Sequence, residues 1–169
     1  MPRTILVTAF DAFGSEDINP SLEVARRLPS RIGSADILTV EIPTVFEQAA
    51  QVARASIDKH QPDVVVCLGQ AGGRSSITPE RIAINNIDAP LADNSGAFLI
   101  DAPINPQGPA AYFSTLPVKS LVGAIQAKNI PATLSNTAGT FVCNYLMYSV
   151  LDYLAATASD AIAGFIHVP

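Results

Sequence analysis

Short apolar, β-branched runs alternate with helical stripes along nearly the whole chain, and that alternation leaves few folds open. Thr4–Phe10 and Asp63–Gly69 read as strands buried on both faces, because their apolar residues run together instead of alternating with polar ones. Asp36–Ile42 reads as another strand, Ala132–Ser135 as a short one, and Ala161–Val168 as the last. Asn19-Pro20 opens a helix with proline at its first position and Leu22, Val24, Ala25 and Leu28 on its inner stripe. Pro43 and Thr44 open a second helix that reaches His60, with Val45, Ala49, Val52 and Ile57 facing inward. Leu116–Lys128 and Gly139–Ala156 read as two more helices. Arg74 to Ile104 is irregular, with Ser76-Ile77 and Arg81–Ile84 as candidate short strands and Asp93–Gly96 as a turn. The pattern selects an α/β fold: an open, twisted, mostly parallel sheet with helices on both faces, in three layers α/β/α. With 169 residues and no internal repeat, low-complexity tract or linker, residues 1–169 are expected to form a single domain.

Composition excludes several function classes. Net charge is −5, and the 10 Lys+Arg residues are scattered, which argues against a nucleic-acid surface. No apolar run approaches the ~18 residues of a membrane span. Two cysteines make no disulfide framework, and Met1–Thr4 leads into the first strand with no signal-peptide pattern. The natural compartment is a reducing cytoplasm. Mean hydropathy is +0.30, high for a soluble monomer, so a subunit interface or a further covering element is expected.

In open sheets of this kind, sites collect beyond the carboxyl ends of the strands. Phe10–Phe13, Gly69–Gly73, Asn136–Cys143 and His167 fall there. Cys143 follows a polar loop, Ser135–Thr140, that feeds a helix, where the positive end of the helix dipole favours thiolate. Its other reading is a small buried hydrophobe, as Cys67 reads inside its strand. A base for Cys143 has to be His167 or His60, and His60 sits in a polar helix terminus. Glu80 could orient a histidine, or be a surface carboxylate paired with Arg81. Spacing alone does not bring these residues together. No paired Cys or His spacing supports a metal, and Gly69–Gly73 matches neither dinucleotide nor P-loop patterns.

Five segments taken in order carry a resemblance. Val7–Gly14 with Ile18–Ser21, Leu68–Arg74, Thr78–Asn85, Ser135–Asn144 and Gly164–Pro169 resemble the successive signature blocks of pyroglutamyl peptidase type I (pyrrolidone-carboxylate peptidase), a cysteine peptidase family. The resemblance implies Cys143 as nucleophile, His167 as its base and Glu80 as the residue holding the imidazole, working through a thioester without metal or cofactor. It implies Phe10, Phe13, Asn19, Gln70 and Val142 as substrate-binding residues, the two phenylalanines flanking the lactam ring. Plain core packing is the other reading of those phenylalanines.

The implied protein is a cytoplasmic homo-oligomer, tetramer or dimer, that removes N-terminal pyroglutamyl residues from small peptides. Pro90 stands where the resemblance implies an arginine that helps stabilise the oxyanion, so slower turnover is expected unless Arg74, Arg81 or backbone amides compensate. The family's C-terminal helix lies beyond the residues of this chain, and a histidine two residues from Pro169 is expected to fray. These departures keep a second reading: a weak or inactive relative that binds pyroglutamyl-type ligands.

Overall fold

A computed structural model describes residues 3–14 and 16–169; Met1, Pro2 and Ser15 lie outside the described residues, and so does the expected lead-in from Met1. In chain order the elements are β1 (Thr4–Phe10), α1 (Pro20–Arg27), β2 (Arg31–Ile32), β3 (Ala35–Ile42), α2 (Phe46–His60) and β4 (Val64–Gln70). There follow β5 (Thr78–Pro79), β6 (Ile82–Ile84), β7 (Ala111–Phe113), α3 (Val118–Gln126), α4 (Val142–Ala156) and β8 (Ile162–Val168).

Strands β1, β3, β4 and β8 pair in parallel, and the sheet runs β2-β3-β1-β4-β8-β5, with its two short edge strands antiparallel. The apolar runs behave as sequence demands, since β1, β4 and β8 are interior strands with both faces covered. On one face Leu6, Phe10, Val65, Cys67 and Phe165 pack under α2 and α4. On the other, Val7, Ala9, Ile37 and Leu68 pack under α1 through Leu22 and Ala25. Val24, expected on that inner stripe, is exposed, because eight residues present only a narrow face to the sheet. α1 begins as read: the Asn19 side chain accepts from Ser21 N at 3.0 Å, and Pro20 follows in the first turn.

Ala132–Ser135 is not a strand. It makes two isolated parallel bridges, Ile77 with Ala132 and Glu80 with Ser135. A parallel ladder begins there, with Ile77 N donating to Pro131 O and Thr133 N to Ile77 O, and it resumes with Ser135 N donating to Pro79 O. The missing rung falls at Pro79, which has no N–H to give. The end of β8 does not fray either. His167 sits between Gly69 of β4 and Thr78 of β5 and is 4% exposed.

The segment 88–97 is irregular but pinned. Asp93 is buried; its Oδ1 accepts from Ser95 N at 2.9 Å, Ser95 Oγ at 2.7 Å and Ala97 N at 2.9 Å, and its Oδ2 accepts from Phe46 N at 3.1 Å. Val45, the N-cap of α2, supplies no side-chain cap, so a residue 47 positions away caps that helix instead. Burial pushes the Asp93 carboxyl up, but these hydrogen bonds outweigh it and hold the pKa below the usual value. Asp93→Ala should therefore lower stability by roughly 2–3 kcal/mol in denaturant titration. A depressed carboxylate contributes above its unfolded pKa, about 3.9 for Asp, and loses that contribution as pH falls through the folded value. The gap between wild type and variant should be full near neutrality and close in acid.

Candidate active site

The site lies beyond the carboxyl ends of β1, β4 and β8, and the register of the sheet assembles it. Along β8, Phe165 and His167 share the face that α4 covers, and Gly69 of β4 is the register partner of His167. Neighbouring strands lie about 4.8 Å apart. A Cβ built on Gly69 would come within 3.1 Å of Cys143 Sγ and 2.6 Å of Phe165 Cζ. The sulfur therefore rests against the bare backbone of Gly69, one strand from the imidazole, and only glycine leaves room for it.

Cys143 is the second residue of α4. Gly139, at φ 80°, turns the chain into the helix in a conformation that suits glycine. No side chain caps α4, so the first N–H groups, those of Val142, Cys143 and Asn144 among them, point off its leading end. The surroundings work against the thiolate that the helix terminus favours. Burial pushes the Cys143 thiol up to about 12, the Glu80 charge adds to that, and the Arg74 charge only partly opposes it. Desolvation and the helix dipole thus pull the sulfur in opposite directions. Cys67 is raised to about 11, again by burial first, and is part of the core.

Glu80 is not a surface carboxylate and does not pair with Arg81. It is 0% exposed, and its Oε1 lies 2.7 Å from His167 Nδ1 and accepts from Arg74 Nη1 at 2.6 Å. Burial pushes the Glu80 carboxyl up, yet the bonds from His167, Ser135 and Arg74 win and hold it below its ordinary value. With Nδ1 facing Glu80, the other ring nitrogen of His167 is left for the sulfur side. His60 ends α2, on an element that contributes nothing to this cluster.

A cavity of about 170 Å³ opens on the sulfur, lined by Phe10, Phe13, Asn19, Thr44, Gln70, Phe141, Val142 and Cys143. All five residues expected to bind substrate are among them. It is below the ~300–1,000 Å³ of drug-sized pockets, and no lining side chain is charged. Phe13 packs against Phe141, with ring centroids 5.3 Å apart, and Phe10 against Phe165, at 6.4 Å. The Asn19 side chain is largely engaged: its oxygen takes Ser21 N and Oγ, and its amide donates to Asp11 O at 2.9 Å. Thr44 and Phe141 line the cavity without having stood out in the sequence; Thr44 Oγ1 donates to Asp11 Oδ1 at 2.7 Å. A larger hollow of about 520 Å³, lined by Arg3, Pro62, Asp63 and Asp160, lies at the opposite end of β4 and β8 and holds no nucleophile. Among the described residues no three His, Cys, Asp or Glu side chains cluster as metal ligands, and no helix is long and apolar enough to cross a membrane.

A cysteine at a helix's leading end, lying beside the strand residue that pairs with a buried histidine, suits a cysteine-type α/β hydrolase, and comparison with known proteins narrows the class. The chain belongs to the pyroglutamyl peptidase family, whose pattern matches residues 3–169. It is 54% identical over 165 residues to the pyrrolidone-carboxylate peptidase of Streptococcus pyogenes serotype M5 (strain Manfredo), covering 98% of this chain and 77% of that one. The crystal structure of Bacillus amyloliquefaciens pyroglutamyl peptidase I superposes with TM-score 0.97 at 46% identity, over 99% of this chain and 82% of that one. A mutant pyrrolidone carboxyl peptidase from the hyperthermophile Pyrococcus furiosus gives TM-score 0.95 at 42% identity, over 98% and 80%.

Two outcomes follow from this geometry. With the thiol raised, iodoacetamide should alkylate Cys143 faster with every step in pH from 7 to 9, roughly tenfold per unit and without a plateau. A plateau reached below pH 7 would mean a preformed thiolate–imidazolium pair. Gly69→Ala should displace the sulfur and the Phe165 ring and cut kcat/KM about 10²-fold while circular dichroism stays native.

Proposed function

We propose that this protein is a single-domain cysteine peptidase that hydrolyses the amide bond after an N-terminal pyroglutamyl residue of small peptides. The observation that carries the reading is the small, uncharged cavity ending on the Cys143 sulfur. A free α-ammonium buried there would meet no counter-charge, whereas pyroglutamate is a neutral lactam with flat faces and amide-type edges. Phe10 and Phe13 supply aromatic faces. Gln70, Thr44 and the remaining N–H of Asn19 are the polar groups available to the lactam C=O and N–H.

Glu80 holds Nδ1 of His167 and leaves Nε2 as the base. As the substrate carbonyl approaches, Nε2 takes the Cys143 proton and the sulfur attacks the pyroglutamyl carbon. The oxyanion is met by N–H groups at the head of α4, that of Cys143 foremost, and one such donor is worth about 3 kcal/mol. The imidazolium then protonates the leaving amine, and water, activated by the same nitrogen, hydrolyses the thioester. Pro90 is exposed and offers no donor, so the helix amides carry the oxyanion and turnover is modest.

The same reading makes the protein a cytoplasmic homo-oligomer, dimer or tetramer. Phe98, Ile100 and Phe113, at 52%, 62% and 67% exposed, are apolar surface suited to contact between copies.

Release of a chromophore from pyroglutamyl, prolyl and alanyl amides tests the proposal. The pyroglutamyl amide should be preferred over the prolyl one, which lacks the ring carbonyl, by up to ~10⁴ in kcat/KM. Cys143→Ala and His167→Ala should abolish that turnover. Equal rates on all three amides would refute the pocket argument, and saturable binding without turnover would point to a binding protein.

A further inference from the structure

The Glu80 carboxylate has a one-sided arrangement that a simple triad does not need. Both of its close bonds fall on Oε1, from His167 Nδ1 at 2.7 Å and from Arg74 Nη1 at 2.6 Å, while the buried Oε2 has no partner. The Ser135 hydroxyl also lies against the carboxylate and helps to hold it ionised, but its single proton is shared with Thr137 O, 3.0 Å away. Arg74 is itself held: Nη1 also donates to Thr78 Oγ1 at 2.6 Å, and Nη2 to Thr137 O at 3.2 Å. Its guanidinium thus ties the acid to β5 and to the loop that leads into the nucleophile helix. The oxyanion role open to Arg74 in the sequence is not the one its hydrogen bonds describe.

We propose that Arg74 is a positioning residue that sets the acid–base strength of the Glu80–His167 pair. The inference rests on the peptidase reading above, with His167 as the base. A carboxylate bonded to Nδ1 favours positive charge on the ring. A cation on the same carboxylate oxygen withdraws part of that effect, and its charge directly disfavours an imidazolium nearby. Arg74 therefore keeps the other nitrogen of His167 free to accept the thiol proton, then acidic enough to give it to the leaving amine. Among the described residues, Glu80 meets the imidazole and Arg74 meets Glu80, while Glu80, Arg74 and Cys67 of β4 are the ionisable groups acting on Cys143 of α4. Arg74 is the one cation among them.

The test is the pH dependence of kcat/KM for a pyroglutamyl amide, which reports the free enzyme's base. In Arg74→Gln the acidic limb should move up by about one pH unit, because loss of the cation lets the imidazole hold its proton longer. Arg74→Lys keeps the charge without the fork, so its limb should stay at the wild-type position even where the plateau falls. A merely structural role would lower the plateau in both variants and move neither limb, and that result overturns the proposal. If Arg74→Gln does not fold, the neutral Arg74→Met takes its place beside Arg74→Lys: a limb raised by about one unit in the neutral variant alone supports a charge effect, and an unmoved limb in it overturns the proposal. No turnover by the wild type would remove the proposed function and this inference together, whereas wild-type turnover with an unmoved Arg74→Gln limb removes only this inference.

Discussion

Side chains on a strand alternate between faces, so a pairing that slipped by one residue would turn every one of them over. That constraint weighs most on β4 and β8. Their register sets Cys67 beside Phe165 and Gly69 beside His167. A one-residue slip would send the imidazole to the α1 face, away from α4 and its cysteine. The register is held by what each face buries: Val65, Cys67, Ala163 and Phe165 against α2 and α4, and Leu68 on the α1 side. The apolar core thus fixes the catalytic geometry before any polar contact is made, and Gly69 converts that registration into space for a sulfur atom.

The polar contacts then lock what packing has aligned. Glu80 follows the two-residue β5 and continues the pairing past the rung that Pro79 lacks: its N donates to Phe165 O at 2.8 Å, and it bridges Ser135. Its carboxylate is fully enclosed there, which is tolerable only because a cation and an imidazole reach it. Asp93 solves a similar problem on the other side of the pocket, giving α2 the cap its own sequence lacks. Asn94 extends that anchor, donating to Ala12 O at 2.9 Å, next to Phe13. Both walls of the cavity are therefore tethered to segments distant in sequence.

Long elements were legible because burial writes itself into composition. β1, β3, β4, β8, α2 and α4 lie within a residue or three of where apolar runs and stripes put them. The short elements β2, β5 and β7 span two or three residues each, too few for any period to emerge. Ala132–Ser135 has strand-like residues, and what denies it a continuous ladder is a proline in another segment. In the site, the signature blocks pointed to Cys143, His167, Glu80 and the five pocket residues, but not to Thr44, which falls outside the blocks, or to Phe141, which lies inside the Ser135–Asn144 block without a chemistry of its own to single it out. For Arg74 the sequence offered only a substitute oxyanion role, since its meeting with Glu80, Thr78 and Thr137 at once is a product of the fold. The setting of the thiol was hidden for a related reason: a helix terminus is visible in sequence, whereas the burial and the Glu80 charge that work against a thiolate are tertiary.

That enclosure bears on how the reaction is driven. A thiolate standing ready in this pocket would be desolvated beside the Glu80 carboxylate, a charge arrangement the site disfavours. A neutral thiol next to a neutral, ring-shaped cavity has no such conflict and suits an uncharged ligand. In the proposed mechanism, charge separation belongs to the attack itself, when negative charge passes from sulfur to the carbonyl oxygen under the α4 amides and the proton sits on His167 opposite Glu80. Stabilisation that appears only as that charge develops lowers the barrier instead of tightening the resting complex. A ligand that fills the lactam pocket also excludes water from the imidazole and strengthens its coupling to Glu80. Recognition of the ring and activation of the sulfur are, on this account, the same physical event.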